Sequence, residues 1–311
     1  MTSSSSASDS RKPEAALPGG TRVGLALGGG AAHGFAHIPV LEALDEAGVR
    51  PTLIAGTSMG AILGALYASG MSGAAIREHT LGLFRSRSEF LARLWQLRPR
   101  RLREVTFGFG QYDLERALAA FLPAGVAKDF AALRIPLRAV ATDYYAGRAA
   151  VLSEGRLLPA LAASAAVPLL FKPVRIGGRI MIDGGVTNPV PFDQLDGVDL
   201  VIAVDVVNPP TGNRERMPGS LESLFGATAM AMRAIIREKL RTSREPDIFI
   251  RPPPAAGINV FDFGRAARVI RASEPVKAEV REKLGRMLGD ASLGDGQRSG
   301  SRTRAAGKAN G

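Results

Sequence analysis

The stretch PTLIAGTSMGAILGALYA, from Pro51 to Ala68, decides how the rest of the chain reads. Pro51 to Ala55 is a short apolar run of strand length, and Ala61 to Ala68 is an apolar helical run ending near Gly70. Between them lies Gly56-Thr57-Ser58-Met59-Gly60. A G-x-S-x-G sequence between a strand and a helix is the setting that a nucleophile elbow requires. The turn is sharp, so small residues must flank the serine. The serine oxygen then stands at a helix N-terminus, where the dipole favours negative charge. The competing reading is a Ser58 N-cap on a glycine turn. The strand–turn–helix context favours the elbow.

Outward from this stretch, strands and helices alternate. Thr21 to Leu27 is a short apolar strand, and His37 to Ala47 has helical spacing that stops at Gly48. Leu137 to Thr142 and Leu200 to Val206 read as further buried strands. Arg175 to Ile182, with Gly177-Gly178 inside it, reads as a hairpin. Near-continuous apolar strands alternating with helices predict an α/β chain with a mainly parallel sheet covered on both faces.

Of the 311 residues, 46% are hydrophobic and 22% charged, which supports a packed core and excludes global disorder. One domain is expected over residues 21–287. Residues 1–20 read as a disordered polar leader without the apolar core of a signal peptide, and 288–311 as a disordered basic tail. Cys is absent, which excludes disulfides and thiol nucleophiles, and three His leave little room for a metal site. The apolar stretches Leu53 to Tyr67 and Leu157 to Phe171 are too short or too interrupted to span a bilayer, so the expected address is the cytoplasm.

The net charge of +11 makes nucleic acid and anionic membrane surfaces candidate partners. No nucleic acid is expected, because the basic tail has no aromatic for base stacking and no binding motif is visible. Between Arg77 and Arg103, eight Arg stand against two Glu, interleaved with Leu, Phe and Trp. Such a stretch can lie on an anionic membrane, although a solvated helix face is the more ordinary reading.

Two further segments could complete a site around Ser58. Gly28-Gly29-Gly30-Ala31-Ala32-His33-Gly34 follows a strand and precedes a helix. It is not a dinucleotide fingerprint, because counting from Gly28 puts His33 at the sixth position and counting from Gly29 puts Ala31 at the third. It is not a P-loop, because Phe35-Ala36 follows Gly34 where Lys-Ser/Thr is needed. An oxyanion hole and a plain tight turn remain. For a base, no His follows His79, so a Ser–acid–His order is excluded; His79 could serve only in an unusual order and reads as part of a helix face, and His37 reads as packed or capping. A carboxylate is left. Asp183 ends the apolar run Ile180-Met181-Ile182 before two glycines, where burial would raise its pKa. By itself that aspartate reads as an Asp-Gly turn, and Asp143, Asp193, Asp199 and Asp205 also sit near strand ends.

Together these segments resemble the patatin-like phospholipase family, in its short single-domain bacterial form. That family's glycine-rich loop, G-x-S-x-G elbow and late D-G-G occur in order at Gly28–Gly34, Gly56–Gly60 and Asp183–Gly185. The flanks match too, at Gly34 to Leu41, at Ala163 to Phe171 and at Asp183 to Pro191. The resemblance implies a three-layer α/β/α patatin-like fold over residues 21 to 275. It implies a Ser58–Asp183 dyad, an acyl-enzyme, and an oxyanion hole from Gly29, Gly30 and Ala31. Gly28, His33 and Gly34 would support that loop, and Gly56 and Gly60 the elbow. No metal or cofactor is implied. The substrates would be acyl esters of glycerolipids, with residues 77–125 shaping the pocket and peripheral contact with an anionic membrane. Two departures stand out: His33 replaces a frequent Arg or Lys, and Ala31 a frequent Gly. The alternative is a non-catalytic lipid- or protein-binding regulator on the same fold.

Overall fold

A computed structural model describes residues 20–83, 113–209, 215, 217–260 and 262–287. The leader through residue 19, residues 84–103 of the basic stretch, and the tail from 288 lie outside them. The strands are β1 (Val23–Leu27), β2 (Leu53–Thr57), β3 (Leu137–Asp143), β4 (Arg148–Leu152), β5 (Val174–Ile176), β6 (Arg179–Asp183), β7 (Leu200–Val204) and β8 (Ile248–Ile250). The helices are α1 (His37–Glu46), α2 (Met59–Ala68), α3 (Gly73–Leu83), α4 (Leu114–Phe121), α5 (Leu157–Ser164), α6 (Ser220–Thr242), α7 (Ala266–Ser273) and α8 (276–287).

All eight strands form one sheet in the order β5-β6-β3-β2-β1-β7-β8, with β4 also paired to β3. The pairs among β3, β2, β1, β7 and β8 are parallel, and those made by β4, β5 and β6 are antiparallel. Every residue of β1 and β7 is buried, as the unbroken apolar runs predicted. One face of the sheet packs a large core with α1, α2, α3, α5 and α7. The other face packs Phe192, Leu195, Val198 and Ile236, covered by α6 and the loop that follows Asp183. The expected three-layer arrangement is therefore present.

Two local differences have a physical cause, and the expected hairpin has its turn where the glycines stand. β2 runs two residues past Ala55, because its pairing with β1 and β3 continues through Gly56. α2 consequently starts at Met59, directly after Ser58. The hairpin turns on Gly177 (φ 54°) and Gly178 (φ 79°), two adjacent left-handed residues that match the right-handed twist of the strands.

The sheet's decisive feature is on β3. Residues 139–143 pair β4 along one edge. On the other edge, 137–140 pair β2 and 141–143 pair β6. β2 and β6 therefore meet end to end: Thr57 stands opposite Val140 and Asp183 opposite Ala141. Two segments 126 positions apart in sequence are brought to adjacent rows of one strand.

An ion network clips the outer helices together. Buried Glu42 on α1 accepts Arg77 of α3 at 2.5 Å and Lys277 of α8 at 2.7 Å. Arg77 also meets Glu274 at 2.6 Å, and Lys277 meets Glu46 at 2.9 Å. Burial alone would raise the Glu42 pKa, but hydrogen bonds from Arg77 and Lys277 hold it below the usual range. A depressed carboxylate contributes stability above its unfolded pKa and loses it as pH falls through the folded pKa. Glu42→Ala should cost about 1–3 kcal/mol at neutral pH in urea unfolding, and the deficit should shrink as acid protonates Glu42 in the parent protein.

Candidate active site

Ser58 sits between β2 and α2 with φ 54° and ψ −122°, a conformation costly for any residue with a Cβ. The surrounding contacts hold it there. Its N–H donates to Ser164 Oγ at 2.9 Å, and that hydroxyl donates to Val140 O at 2.6 Å. Its carbonyl accepts the N–H groups of Ala61 and Ile62 at 2.9 and 3.1 Å, closing the first turn of α2. The flanking glycines are sterically required. A Cβ on Gly60 would stand 2.1 Å from Leu27 O, and one on Gly56 would stand 2.6 Å from Ala61 Cα. The elbow is thus pressed against the end of β1, where the glycine-rich loop starts.

Asp183 ends β6 and is buried beside Ser58. Its Oδ1 accepts the Gly185 N–H at 2.7 Å, while Oδ2 is buried without a hydrogen-bond partner among the described residues. Burial raises its pKa to about 6, against the downward pull of the Ser58 hydroxyl and the Gly185 N–H. The serine is near enough to exert that pull, although no hydrogen bond of ordinary geometry joins it to Oδ2. Such bonds are often long before substrate binds.

The other candidate carboxylates are engaged elsewhere. Asp143 caps Ala146 and faces Arg179, Asp193 pairs with Lys239, Asp199 binds Arg22 at the far end of the sheet, and Asp205 binds Arg251. Of the three histidines, His37 is fully buried, and its Nε2–H donates to Gly28 O at 2.8 Å. Burial lowers its pKa to about 4 against that carbonyl's opposing effect, so the ring is neutral. His79 donates to Phe121 O at 2.9 Å. His33 is buried, and burial lowers its pKa against the nearby charge of Asp262.

The glycine-rich loop corrects one expectation. The Gly29 N–H donates to Pro189 O at 2.9 Å, so it is already committed to holding the loop and is not free for an oxyanion. Gly28 is likewise tied, to Val204 O at 3.0 Å. The N–H groups of Gly30 and Ala31 have no partner among the described residues. Ala31 has φ 46°, a conformation glycine would hold at less cost, which fits the usual glycine at that position. Gly34 packs on the Met59 side chain. His33 brings no positive charge here, because its ring is buried and kept neutral.

Sequence reasoning did not assign the contacts that tie Asn188 and Asp193 to Lys239. Asn188 accepts Thr57 Oγ1 on its carbonyl at 2.8 Å, and its N–H donates to Gly184 O at 2.8 Å. Its side chain donates to Asp193 at 2.9 Å and accepts Lys239 Nζ. Lys239 also binds Asp193 and Val190 O and lies over the Phe192 ring. The elbow, the aspartate block and α6 are thereby tied to one another. The available signals were Asn188 within the matched block Asp183 to Pro191, and a lysine on the inward face of α6, in line with Met232 and Ile236.

Two cavities flank Ser58. The larger, about 240 Å³, is almost wholly apolar, with Phe35, Leu66, Leu118, Phe121 and Phe171 in its walls. His79, Leu83, Leu114 and Leu122 also line it, so part of the 77–125 stretch does shape it. The smaller, about 100 Å³, is bordered by Gly30, His33, Asp183, Asn208 and Met232. Ser58 and Ala31 belong to both.

A parallel-sheet α/β/α core with a serine elbow facing a buried aspartate defines the class: an α/β protein built around a G-x-S-x-G turn. The model of the patatin-like phospholipase family matches residues 25–196, and the chain belongs to that family. It is 37% identical to an uncharacterized NTE family protein of Mycobacterium tuberculosis over 187 residues, 60% of this chain and 49% of that one. It is 31% identical to lysophospholipase NTE1 of Cryptococcus neoformans over 198 residues, 60% of this chain and 11% of that one. VipD of Legionella pneumophila superposes with a TM-score of 0.45 and 15% identity, over 88% of this chain and 71% of that one. The matched region thus spans half or less of these curated relatives. Among the described residues, no helix is long and apolar enough to cross a membrane.

Ser164→Ala would leave the Ser58 N–H and the Val140 carbonyl buried without their bridge. The expected loss is about 1–3 kcal/mol in urea unfolding, while Ser164→Thr should retain part of it.

Proposed function

We propose that the protein is a serine acyl hydrolase that cleaves acyl esters of glycerolipids through a Ser58–Asp183 dyad and an acyl-enzyme. One observation carries this reading: a strained serine stands beside a buried carboxylate and opens onto an almost wholly apolar cavity. A lysophospholipase among the relatives supports the substrate class.

In this mechanism Ser58 Oγ attacks the ester carbonyl carbon while its proton passes to Asp183. The carbonyl oxygen becomes an oxyanion that accepts the N–H groups of Gly30 and Ala31, with the α2 N-terminus adding its dipole. Each such donor is worth about 2.7–4 kcal/mol in comparable sites. Collapse breaks the C–O bond, and the departing alcohol takes the proton from Asp183. Water then attacks the acyl-enzyme, gives a proton to Asp183, and the fatty acid leaves as Ser58 recovers that proton. The acyl chain would occupy the larger cavity and the alcohol portion the smaller. The chemistry needs no metal or cofactor.

The test is hydrolysis of a p-nitrophenyl ester series and of lysophosphatidylcholine. Ser58→Ala and Asp183→Asn should each lower kcat/KM by about 10³-fold or more with folding intact. Activity that survives Ser58→Ala would remove the nucleophile. Absence of activity from the well-folded parent would favour the non-catalytic regulator.

The Asp183 pKa fixes two further outcomes. The base must be ionised, so kcat/KM should fall as pH drops through about 6. A folded pKa raised above the unfolded value destabilises the native state once pH exceeds both. Asp183→Asn should therefore be more stable than the parent above pH ~6, by about 1–3 kcal/mol, with the difference vanishing below pH ~4. Paired thermal unfolding across that range measures it.

A further inference from the structure

Eight large apolar side chains are exposed among the described residues. Val151 lies apart on β4. The other seven gather at the end of the sheet where Ser58 sits. Tyr144 and Tyr145 follow β3, and the Tyr144 N–H donates to Ile180 O at 2.9 Å, three residues from Asp183 on β6. Val186 lies in the turn after Asp183. Met217 (86% exposed) precedes α6, and Leu221, Leu224 and Met230 lie on its first half. Phe225, Thr228, Ala229 and Met232 from the same half-helix line the smaller cavity with Ser58 and Asp183.

The composition of α6 changes along its length. Residues 220–232 hold one charged side chain, Glu222, while 233–242 hold Arg233, Arg237, Glu238, Lys239 and Arg241. Yet only Ile236 of the whole helix is fully buried, with Phe225, Ala229 and Met232 half-buried. An apolar half-helix left in water at the mouth of a cavity is the kind of patch that marks an interaction surface. Leu221 and Leu224 are one turn apart and share a face.

We propose that this rim is the face on which the protein rests on a lipid bilayer or micelle, an inference that rests on the acyl-ester reading above. Met217, Leu221 and Leu224 enter the apolar layer, and the tyrosine pair sits at headgroup level. Three observations choose a lipid surface over a second copy of the chain. The rim is continuous with the cavity that holds Ser58 and Asp183, so a protein seated there would cover the opening, whereas a lipid surface delivers the ester to it. Tyr144 and Tyr145 pack edge to face with centroids 5.1 Å apart, and their amphipathic rings suit a water–lipid boundary. The chain's +11 charge complements anionic headgroups, and Arg148 and the half-exposed Arg179 stand opposite Asp143, the residue before Tyr144. The rim acts by apolar insertion.

The test uses full-length Ser58→Ala protein, so that binding is read without turnover. It is sedimented with vesicles of phosphatidylcholine containing a minor share of phosphatidylglycerol. The expected result is binding that falls about tenfold or more when Met217→Ser, Leu221→Ser and Leu224→Ser are added, at both low and high salt. With Ser58 restored, the triple variant should hydrolyse a short soluble ester at the parent rate but vesicle lipid much more slowly. Vesicle binding equal to that of the parent would overturn the proposal, as would a parent that does not bind vesicles. A lipid-independent dimer that the triple substitution abolishes would assign the rim to a second copy instead. A parent that binds vesicles through the rim but hydrolyses no ester would sink the catalytic reading and leave the surface standing.

Discussion

The site depends on one pairing constraint: β3 is longer than β2, and its spare three residues take β6 on the same edge. Hydrogen-bond register then does what no local motif could. It sets the last residue of β2 and the last of β6 on adjacent rows, so that the chain leaving β2 meets Asp183 at once. Side chains are placed by backbone ladders, which are stiff, rather than by loops, which are not. Ser164 reinforces the junction by bridging the Ser58 N–H to the Val140 carbonyl, on the β3 row that faces Thr57. The strain at Ser58 is sustained because the ladder, the Ser164 bridge and the close approach of Gly60 to Leu27 leave the chain no other path.

What could be read in the sequence was what is local. β1, β7 and the hairpin are contiguous patterns of buried apolar residues or paired glycines, and they stand where period and turn chemistry put them. Ser58 was legible because its motif carries its own context. Asp183 was legible only as one of five strand-end aspartates until the resemblance singled it out, because the register that selects it is set on β3 at Ala141, 42 positions upstream. The neutralised alternatives make the point from the other side. Asp205 reads like Asp183, a carboxylate closing an apolar strand, yet Arg251, the residue after β8, claims it. The role of Gly29 was misjudged for a related reason. A glycine run shows which amides can turn outward, but not which of them another loop has taken, and Pro189 is far along the chain. α6 was missed altogether, since its first half lacks the polar face that marks a surface helix.

The electrostatics of the site follow from the same burial. Asp183 is desolvated, which raises its proton affinity toward the range useful to a base at neutral pH and makes the ionised form costly to hold. The neighbouring groups offer little relief. The Ser58 hydroxyl pulls the Asp183 pKa down, one N–H, from Gly185, reaches Oδ1, and no cation among the described residues faces the carboxylate. Structural aspartates in this protein are treated differently: Asp193 receives Lys239, and Asp205 receives Arg251. Within one sheet, then, a paired carboxylate marks scaffold and the unpaired one marks the proposed chemistry.

The loop opposite presents the same economy of charge. A cation at position 33 would have given a developing oxyanion a formal counter-charge, but His33 is buried and neutral. In the proposed mechanism, stabilisation would come from dipoles already fixed in place: two backbone amides unpartnered among the described residues and the amino end of α2, whose first turn closes on the Ser58 carbonyl. Fixed dipoles beside an apolar cavity need no reorganisation as charge develops, and a low local dielectric strengthens them. That argument also explains why Ala31 can stand where glycine is usual. The cost of its left-handed backbone is small beside the value of an outward amide, and the methyl group adds to the apolar wall of the larger cavity. Neutral donors on one side of Ser58, an unpaired carboxylate on the other and an apolar wall behind it suit an uncharged ester carbonyl at the end of a hydrocarbon chain.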